Sequence, residues 1–256
     1  MGELKMATTA LEGKIGLVTG ASSGIGASTA QLLANSGVTV IVGYFSGKKR
    51  AEKVLNSLPV GDHCTLKIDI ANEASVKDAA ALIGDLFGHL DILVNSGGAT
   101  KSIAHEDLKK LDEKLFNQII NLNAGGTFSV IRQHMSLLLA SKGAVVINVS
   151  SISAFTGSGS NIAYCAAKSA VDTMNKSFAR AFGPKVRFLS VSPAAVATDF
   201  VPGRNHKDLE KIAQTTPIKR IVEPEDVALA IMSCITHLRT ATGTNIVIDG
   251  GRHISK

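Results

Sequence analysis

Short aliphatic runs punctuate the chain, and stretches with apolar residues at helical spacing fill the gaps between them. The runs lie over 14–19, 38–42, 64–68, 92–94, 144–149, 186–191 and 245–248. They are near-continuously Val, Ile, Leu or Ala rather than alternating, as in parallel strands covered on both faces. Helical patterns occupy 27–36, 48–58, 74–87, 114–140, 163–182 and 225–235. Gly37 closes the first at a C′ position, and Pro224 stands near the start of the last. This alternation predicts an α/β fold with a doubly wound, seven-stranded parallel sheet, in a single domain over 13–256. Residues 1–12 read as an N-terminal arm. Residues 194–224 break the rhythm with Pro202, Gly203, Pro217 and several charges, and read as a substrate loop or lid.

Composition narrows the class. Apolar residues make up 45% of 256, enough for a substantial core, and Trp is absent. The formal net charge is +6, but Lys48-Lys49-Arg50 is the one tight basic cluster, too short for a nucleic-acid tail. Cys64, Cys165 and Cys234 are odd in number and far apart, which predicts reduced thiols rather than a disulfide framework. Cys165 adjoins Tyr164 but points about 100° away on a helix, and reads as packing. The seven His lack metal-ligand spacing, so no metal is expected. No apolar run is long enough to span a bilayer, and the first residues lack the apolar core of a signal peptide. The expectation is a cytoplasmic protein without a membrane or nucleic-acid partner.

Two motifs carry chemistry. Gly20, Gly24 and Gly26 give G-x-x-x-G-x-G between a strand and a helix. Such a turn lets backbone approach a pyrophosphate, and the helix N-terminus beyond offers unpaired N–H groups and a favourable dipole. The spacing is neither G-x-G-x-x-G nor a P-loop, since Gly47-Lys48 is followed by Lys49. Tyr164 and Lys168 are four apart, hence one turn apart on a helical face. An ammonium near a phenol favours the phenolate and brings tyrosine into range as a general acid or base. Such a pair is also common on helix surfaces. Ser151 follows the run 144–149, which puts it at a strand's carboxyl end, where open α/β sheets bind ligands.

Together these features resemble the short-chain dehydrogenase/reductase family in its compact single-domain branch, including 3-oxoacyl-carrier-protein reductases. The likeness covers roughly 13–251. Thr19-Gly-Ala-Ser-Ser-Gly-Ile-Gly26 resembles the T-G-x-x-x-G-x-G cofactor motif of this Rossmann-fold family, and Ser151 with Tyr164-x-x-x-Lys168 its catalytic set. Asn123 falls at the place of the family's catalytic Asn. The resemblance implies dinucleotide contacts from Gly20, Ser22, Ser23, Gly24, Ile25 and Gly26. It implies others from Tyr44, Ser46 and Lys48 after the second strand, and from Asp69 and Ile70 by the adenine. It adds Asn95, Gly97, Pro193, Val196 and Thr198, with Tyr164 and Lys168 themselves. The family's N-N-A-G is here Asn95-Ser96-Gly97-Gly98, its Pro-Gly is Pro193-Ala194, and Leu189 replaces a frequent Asn. None of these changes removes a catalytic group.

The implied reaction is hydride transfer between nicotinamide and a carbonyl or secondary-alcohol carbon. Ser151 polarises the substrate oxygen and Tyr164 exchanges its proton. Lys168 tunes Tyr164 and binds the ribose, and Asn123 holds a water that reprotonates Lys168. No acid lies between Gly43 and Glu52, and Ser46 with Lys48–Arg50 suits a 2′-phosphate, so NADP(H) is favoured and NAD(H) is the alternative. Ser23 counts against this, since NADP-using relatives often carry Lys or Arg there. The substrate is a small-molecule carbonyl or alcohol of open identity. Lys142 and Lys185 suggest a 3-oxoacyl-carrier-protein reductase as one alternative, and a non-catalytic dinucleotide sensor is another. The resemblance also implies a homotetramer, with 114–140 and 163–182 at its interfaces.

Overall fold

The computed structural model describes residues 11–255. Most of the expected arm, residues 1–10, lies outside the described residues; Leu11 is buried in the core. Seven strands form one sheet: β1 Ile15–Thr19, β2 Thr39–Tyr44, β3 Cys64–Lys67, β4 Ile92–Asn95, β5 Ala144–Val149, β6 Val186–Pro193 and β7 Thr244–Ile248. Every pairing is parallel, in the order β3-β2-β1-β4-β5-β6-β7. The chain winds outward from β1 to β3, then returns to place β4 on the other side of β1. Thr19 and Asn95 pair at the adjoining carboxyl ends, so the strand order reverses between them and a crevice opens there.

Successive strand residues face opposite layers, and both layers are apolar. Val18, Val94 and Ile147 join one cluster with Leu33 of α1 (Gly24–Asn35) and Ala51 of α2 (Lys48–Ser57). Leu17, Leu93 and Val146 join the other with Val76 and Ile83 of α3 (Glu73–Phe87). That double burial explains the unbroken aliphatic runs.

The expected helix over 114–140 is three pieces. α4 spans Glu113–Ile120, a π-helical turn covers Asn121–Gly125, and α5 runs Gly126–Ala140. Asn123 is the cause at hand: its Nδ2 donates to the carbonyls of Ile119 and Ala99, both at 2.9 Å. A side chain that occupies a helical carbonyl and ties it to a neighbouring loop widens the turn. After β5 come the short α6 (Ser153–Thr156) and the long α7 (Ile162–Phe182). The segment 194–224 is anchored where Val196 bridges Val222, and it contains a helix that patterning missed, α8 (His206–Gln214). Asn205 and Asp208 cap α8 reciprocally, each side chain accepting from the other's backbone N–H at 3.1 Å. α9 (Pro224–Thr236) packs beside α1 under the sheet, with Val227 and Ile231 in the first cluster.

Candidate active site

A cleft of about 1850 Å³ lies along the carboxyl ends of the strands. A dinucleotide and a substrate together need more room than one small ligand, and this cleft has it. At its centre is the glycine turn. Gly20 and Gly24 have φ of +66° and +54°, which L side chains rarely adopt. A Cβ on Gly20 would lie 2.9 Å from the Gly97 Cα, and one on Gly26 would lie 2.5 Å from the Gly20 carbonyl oxygen. The glycines therefore let β1, β4 and α1 meet without an intervening side chain. Ser23 at the N-cap of α1 makes no side-chain capping bond, and the first turn holds no acid. Its N–H groups are left for an anion, so the turn fits a pyrophosphate. Thr19 Oγ1 accepts from the backbone N–H groups of Ser96 and Gly97 at 3.2 and 3.1 Å, fixing the β4 loop against the turn. This role was visible as the first residue of the motif but not assigned from sequence.

Ser151, Tyr164 and Lys168 converge on the cleft from β5 and α7. Ser151 follows the buried end of β5; its Oγ accepts from the Ser153 N–H and donates to Ser153 Oγ, both at 3.1 Å. Asn161 caps α7 by accepting from the Tyr164 N–H at 2.8 Å, which sets the rotation of the helix at the tyrosine. Lys168 Nζ donates to the Val149 carbonyl at 2.7 Å and lies 5.6 Å from the Tyr164 ring centroid. Burial pushes the Lys168 ammonium down to about 8, while Asp172, one turn on, opposes the shift. Burial pushes the Tyr164 phenol up, against the nearby Ser151 hydroxyl and the charge of Arg204. Desolvation thus dominates the phenol, and the lowering expected from its lysine is not seen. Tyr164 rests as a neutral phenol, the form that donates a proton.

The other expected site residues divide. Gly20, Ser22, Ser23, Gly24, Ile25, Ser46, Asp69, Ile70, Gly97, Pro193, Val196 and Thr198 line the cleft. Asn72 rather than Asp69 caps α3, and a Cβ on Gly24 would press on the Thr198 methyl at 3.0 Å. Tyr44 is turned into the core, and Lys48 pairs with Glu52 at 3.8 Å away from the cleft. Arg50 takes its place, lining the cleft with its guanidinium against Gly47. Asn95 is also buried: its Nδ2 donates to Asn148 Oδ1 at 2.9 Å. Asn148 Nδ2 donates to Asn175 Oδ1, and Asn175 Nδ2 to the Thr244 carbonyl, each at 3.3 Å. Asn123 is fully buried beside the cleft, with its Oδ1 unpartnered behind Gly98. Lys142 and Lys185 precede β5 and β6, at the strand ends opposite the cleft, and do not line it. Beyond Tyr164 the walls come from Phe200, whose ring is 5.9 Å from that of Tyr164, and from Arg204, Arg252 and His253. Among the described residues there is no group of three or more His, Cys, Asp or Glu placed to hold a metal, and no helix long and apolar enough to cross a membrane.

A family profile described as enoyl-(acyl carrier protein) reductase matches residues 20–253. A protein of Streptomyces violaceoruber assigned as ketoacyl reductase 2 of the granaticin polyketide synthase is 35% identical over 254 residues, covering 97% of this chain and all of that one. The 3-oxoacyl-[acyl-carrier-protein] reductase of Aquifex aeolicus is 30% identical, covering 94% of this chain and 98% of its own. A short-chain type dehydrogenase/reductase structure from Mycobacterium ulcerans superposes with a TM-score of 0.87 at 27% identity, over 96% of this chain and 92% of that one.

Proposed function

The chain belongs to the short-chain dehydrogenase/reductase family, and on that premise we propose that it is an NADPH-preferring carbonyl reductase. It is an NAD(P)-dependent oxidoreductase acting between a carbonyl and a secondary alcohol, with Tyr164 as general acid/base. The observation that carries the preference is Arg50. It lines the cleft after β2 beside Ser46 and Gly47, with no acid there to accept the ribose hydroxyls. The relatives named as reductases favour the reductive direction.

A bound reduced nicotinamide supplies the hydride. The α1 N-terminus and the glycine turn hold the pyrophosphate, with Thr198 against Gly24 and Asp69 and Ile70 towards the adenine. Ser151 donates to the substrate oxygen and polarises it, and Tyr164 gives that oxygen its proton. Lys168 holds its charge beside the phenol through the bond to Val149 and reaches the ribose. Asn123 opens the helix at Asn121–Gly125, where a water can return a proton to Lys168. The segment 194–224 serves as the substrate loop of a single domain over 13–256, and Phe200 closes over Tyr164. A homotetramer in the cytoplasm completes the reading, supported by the exposed Phe128 and Leu139 on α5.

Fluorescence titration of NADPH and NADH side by side tests the proposal, followed by NADPH oxidation over a panel of ketones. Tighter NADPH binding by roughly tenfold or more is expected, about the worth of a charge-assisted contact. Tighter NADH binding would overturn the cofactor assignment. A second reading, reduction of 3-oxoacyl thioesters, draws on the names of the relatives above, with Lys142 and Lys185 away from the cleft itself.

A further inference from the structure

The substrate side of the cleft carries charge that the reduction chemistry leaves unused. Arg204, ahead of α8, and Arg252, in the turn after β7, both line it, and both are half-buried. Burial first, then the charge of Arg252, pushes the Arg204 guanidinium down, while Arg252 is pushed down by burial alone. Neither side chain has an ion-pair partner or a hydrogen-bond acceptor among the described residues. The nearest carboxylates are already committed. Asp208 accepts from the Asn205 N–H at 3.1 Å. Asp249 accepts from the Gly251 N–H at 2.8 Å and from the His253 N–H at 2.7 Å.

Asp208 and Asp249 act on Arg204 and Arg252 without contact. A half-buried guanidinium with no contacting counter-ion keeps much of its desolvation cost, and an anion bound between the two relieves it. The cofactor's own anions would be held at the α1 N-terminus and at Arg50, by residues other than Arg204 and Arg252. Arg204 and Arg252 line the same cleft as Ser151 and Tyr164, and Phe200, four residues before Arg204, has its ring 5.9 Å from that of Tyr164, so a group the arginines bind belongs to the substrate near its carbonyl rather than to the end of a long carrier arm. Guanidinium forks match carboxylate and phosphate oxygens two at a time.

We propose that the substrate is an anionic ketone, carrying a carboxylate or phosphate that Arg204 and Arg252 clamp while Ser151 and Tyr164 hold its carbonyl oxygen. This rests on the carbonyl-reductase reading. NADPH gives the hydride to the carbonyl carbon, Tyr164 gives the proton to its oxygen, and the anion leaves unchanged on a hydroxy acid or hydroxy phosphate. The clamp orients one face of the ketone to the nicotinamide.

Calorimetric titration of malonate, and separately of inorganic phosphate, into the whole protein at low chloride tests the clamp without any turnover. At least one anion should bind, and the better one tells carboxylate from phosphate. Arg204→Gln and Arg252→Gln should each weaken binding about tenfold or more, with partial recovery in Arg204→Lys. In NADPH oxidation, acetoacetate should be preferred over methyl acetoacetate by about tenfold in kcat/KM if the anion is a carboxylate, and each Gln variant should flatten that ratio. Absence of anion binding, or equal binding by wild type and both Gln variants, overturns the proposal. Ketone reduction with no anion binding overturns it while sparing the reductase reading. Anion binding lost in the Gln variants, in a protein that reduces no ketone, upholds the clamp and removes the reductase reading.

Discussion

Lys168 Nζ and the Val149 carbonyl oxygen are 2.7 Å apart, in a hydrogen bond that ties α7 to the end of β5. Val149 stands two residues before Ser151, so one bond sets the lysine and the serine in a common frame. The same ammonium lies over the Tyr164 ring. The three groups are therefore placed by a strand end and a helix face, not by a flexible loop.

Replacing Tyr164 with Phe removes the proton donor and keeps the ring. Ketone reduction should fall by roughly 10²–10⁴-fold, while NADPH binding stays within a few-fold in a fluorescence titration. Full turnover in Tyr164→Phe would exclude the phenol as the acid. A wild type that binds dinucleotide yet reduces no ketone would favour the sensor alternative.

Lys168 ties stability to pH. Burial holds its folded pKa at about 8, against 10.5 for an unperturbed lysine. Below 8 both states carry the proton and the cost of burying the charge is present in full. Between the two values the unfolded chain binds more protons, so stability rises with pH. Relative to Lys168→Met, the wild type should gain up to ~3 kcal/mol between about pH 7 and 10, read from urea midpoints. A constant difference across that range would contradict the buried ammonium.

Arg50 and Lys48 separate cleanly. Arg50→Ala should weaken NADPH binding about tenfold and leave NADH within about twofold. Lys48→Ala removes an exposed partner of Glu52 and should change neither titration. The reverse pattern would return the 2′-phosphate to Lys48.

Gly26→Ala brings a methyl group to 2.5 Å from the Gly20 carbonyl oxygen and 2.9 Å from the Ala21 Cα. Backbone must move, at a cost of about 1–3 kcal/mol, and the pyrophosphate cradle moves with it. NADPH binding should fall at least about tenfold, with a lower Tm. Gly143→Ala, where nothing lies within 4 Å of the added carbon, serves as the control and should keep both.

The strands were legible because burial on both faces leaves no alternation to misread. The glycine turn and the Ser151, Tyr164 and Lys168 set were legible because the motifs fall at ends of elements that the sheet gathers. Four things were not. The π turn at Asn121–Gly125 depends on a bond from Asn123 to Ala99, distant in sequence. α8 was hidden by neighbouring Pro and charge, although Asn205, Asp208 and Leu209 carry its capping signal. Among Lys48, Lys49 and Arg50, only the rotation of α2 decides which side chain enters the cleft. Asn95 likewise stood in the dinucleotide set through its match to the family's N-N-A-G motif, yet its strand turns it inward to Asn148.

The amides of Asn95, Asn148 and Asn175 form a row with a polarity. Each gives from its nitrogen towards β7, ending on the Thr244 carbonyl. Rotating any one amide by half a turn sets nitrogen against nitrogen or oxygen against oxygen, and reversing the whole row sets Asn175 Oδ1 against the Thr244 carbonyl, so the row has a single direction. The row thus acts as a keyed joint between the cofactor half of the sheet and the helix bearing Tyr164 and Lys168. Aspartate at position 148 has no nitrogen to pass on, and leucine breaks the row on both sides. Tolerated changes there should come in matched sets, with the two halves of the cleft drifting together rather than one at a time.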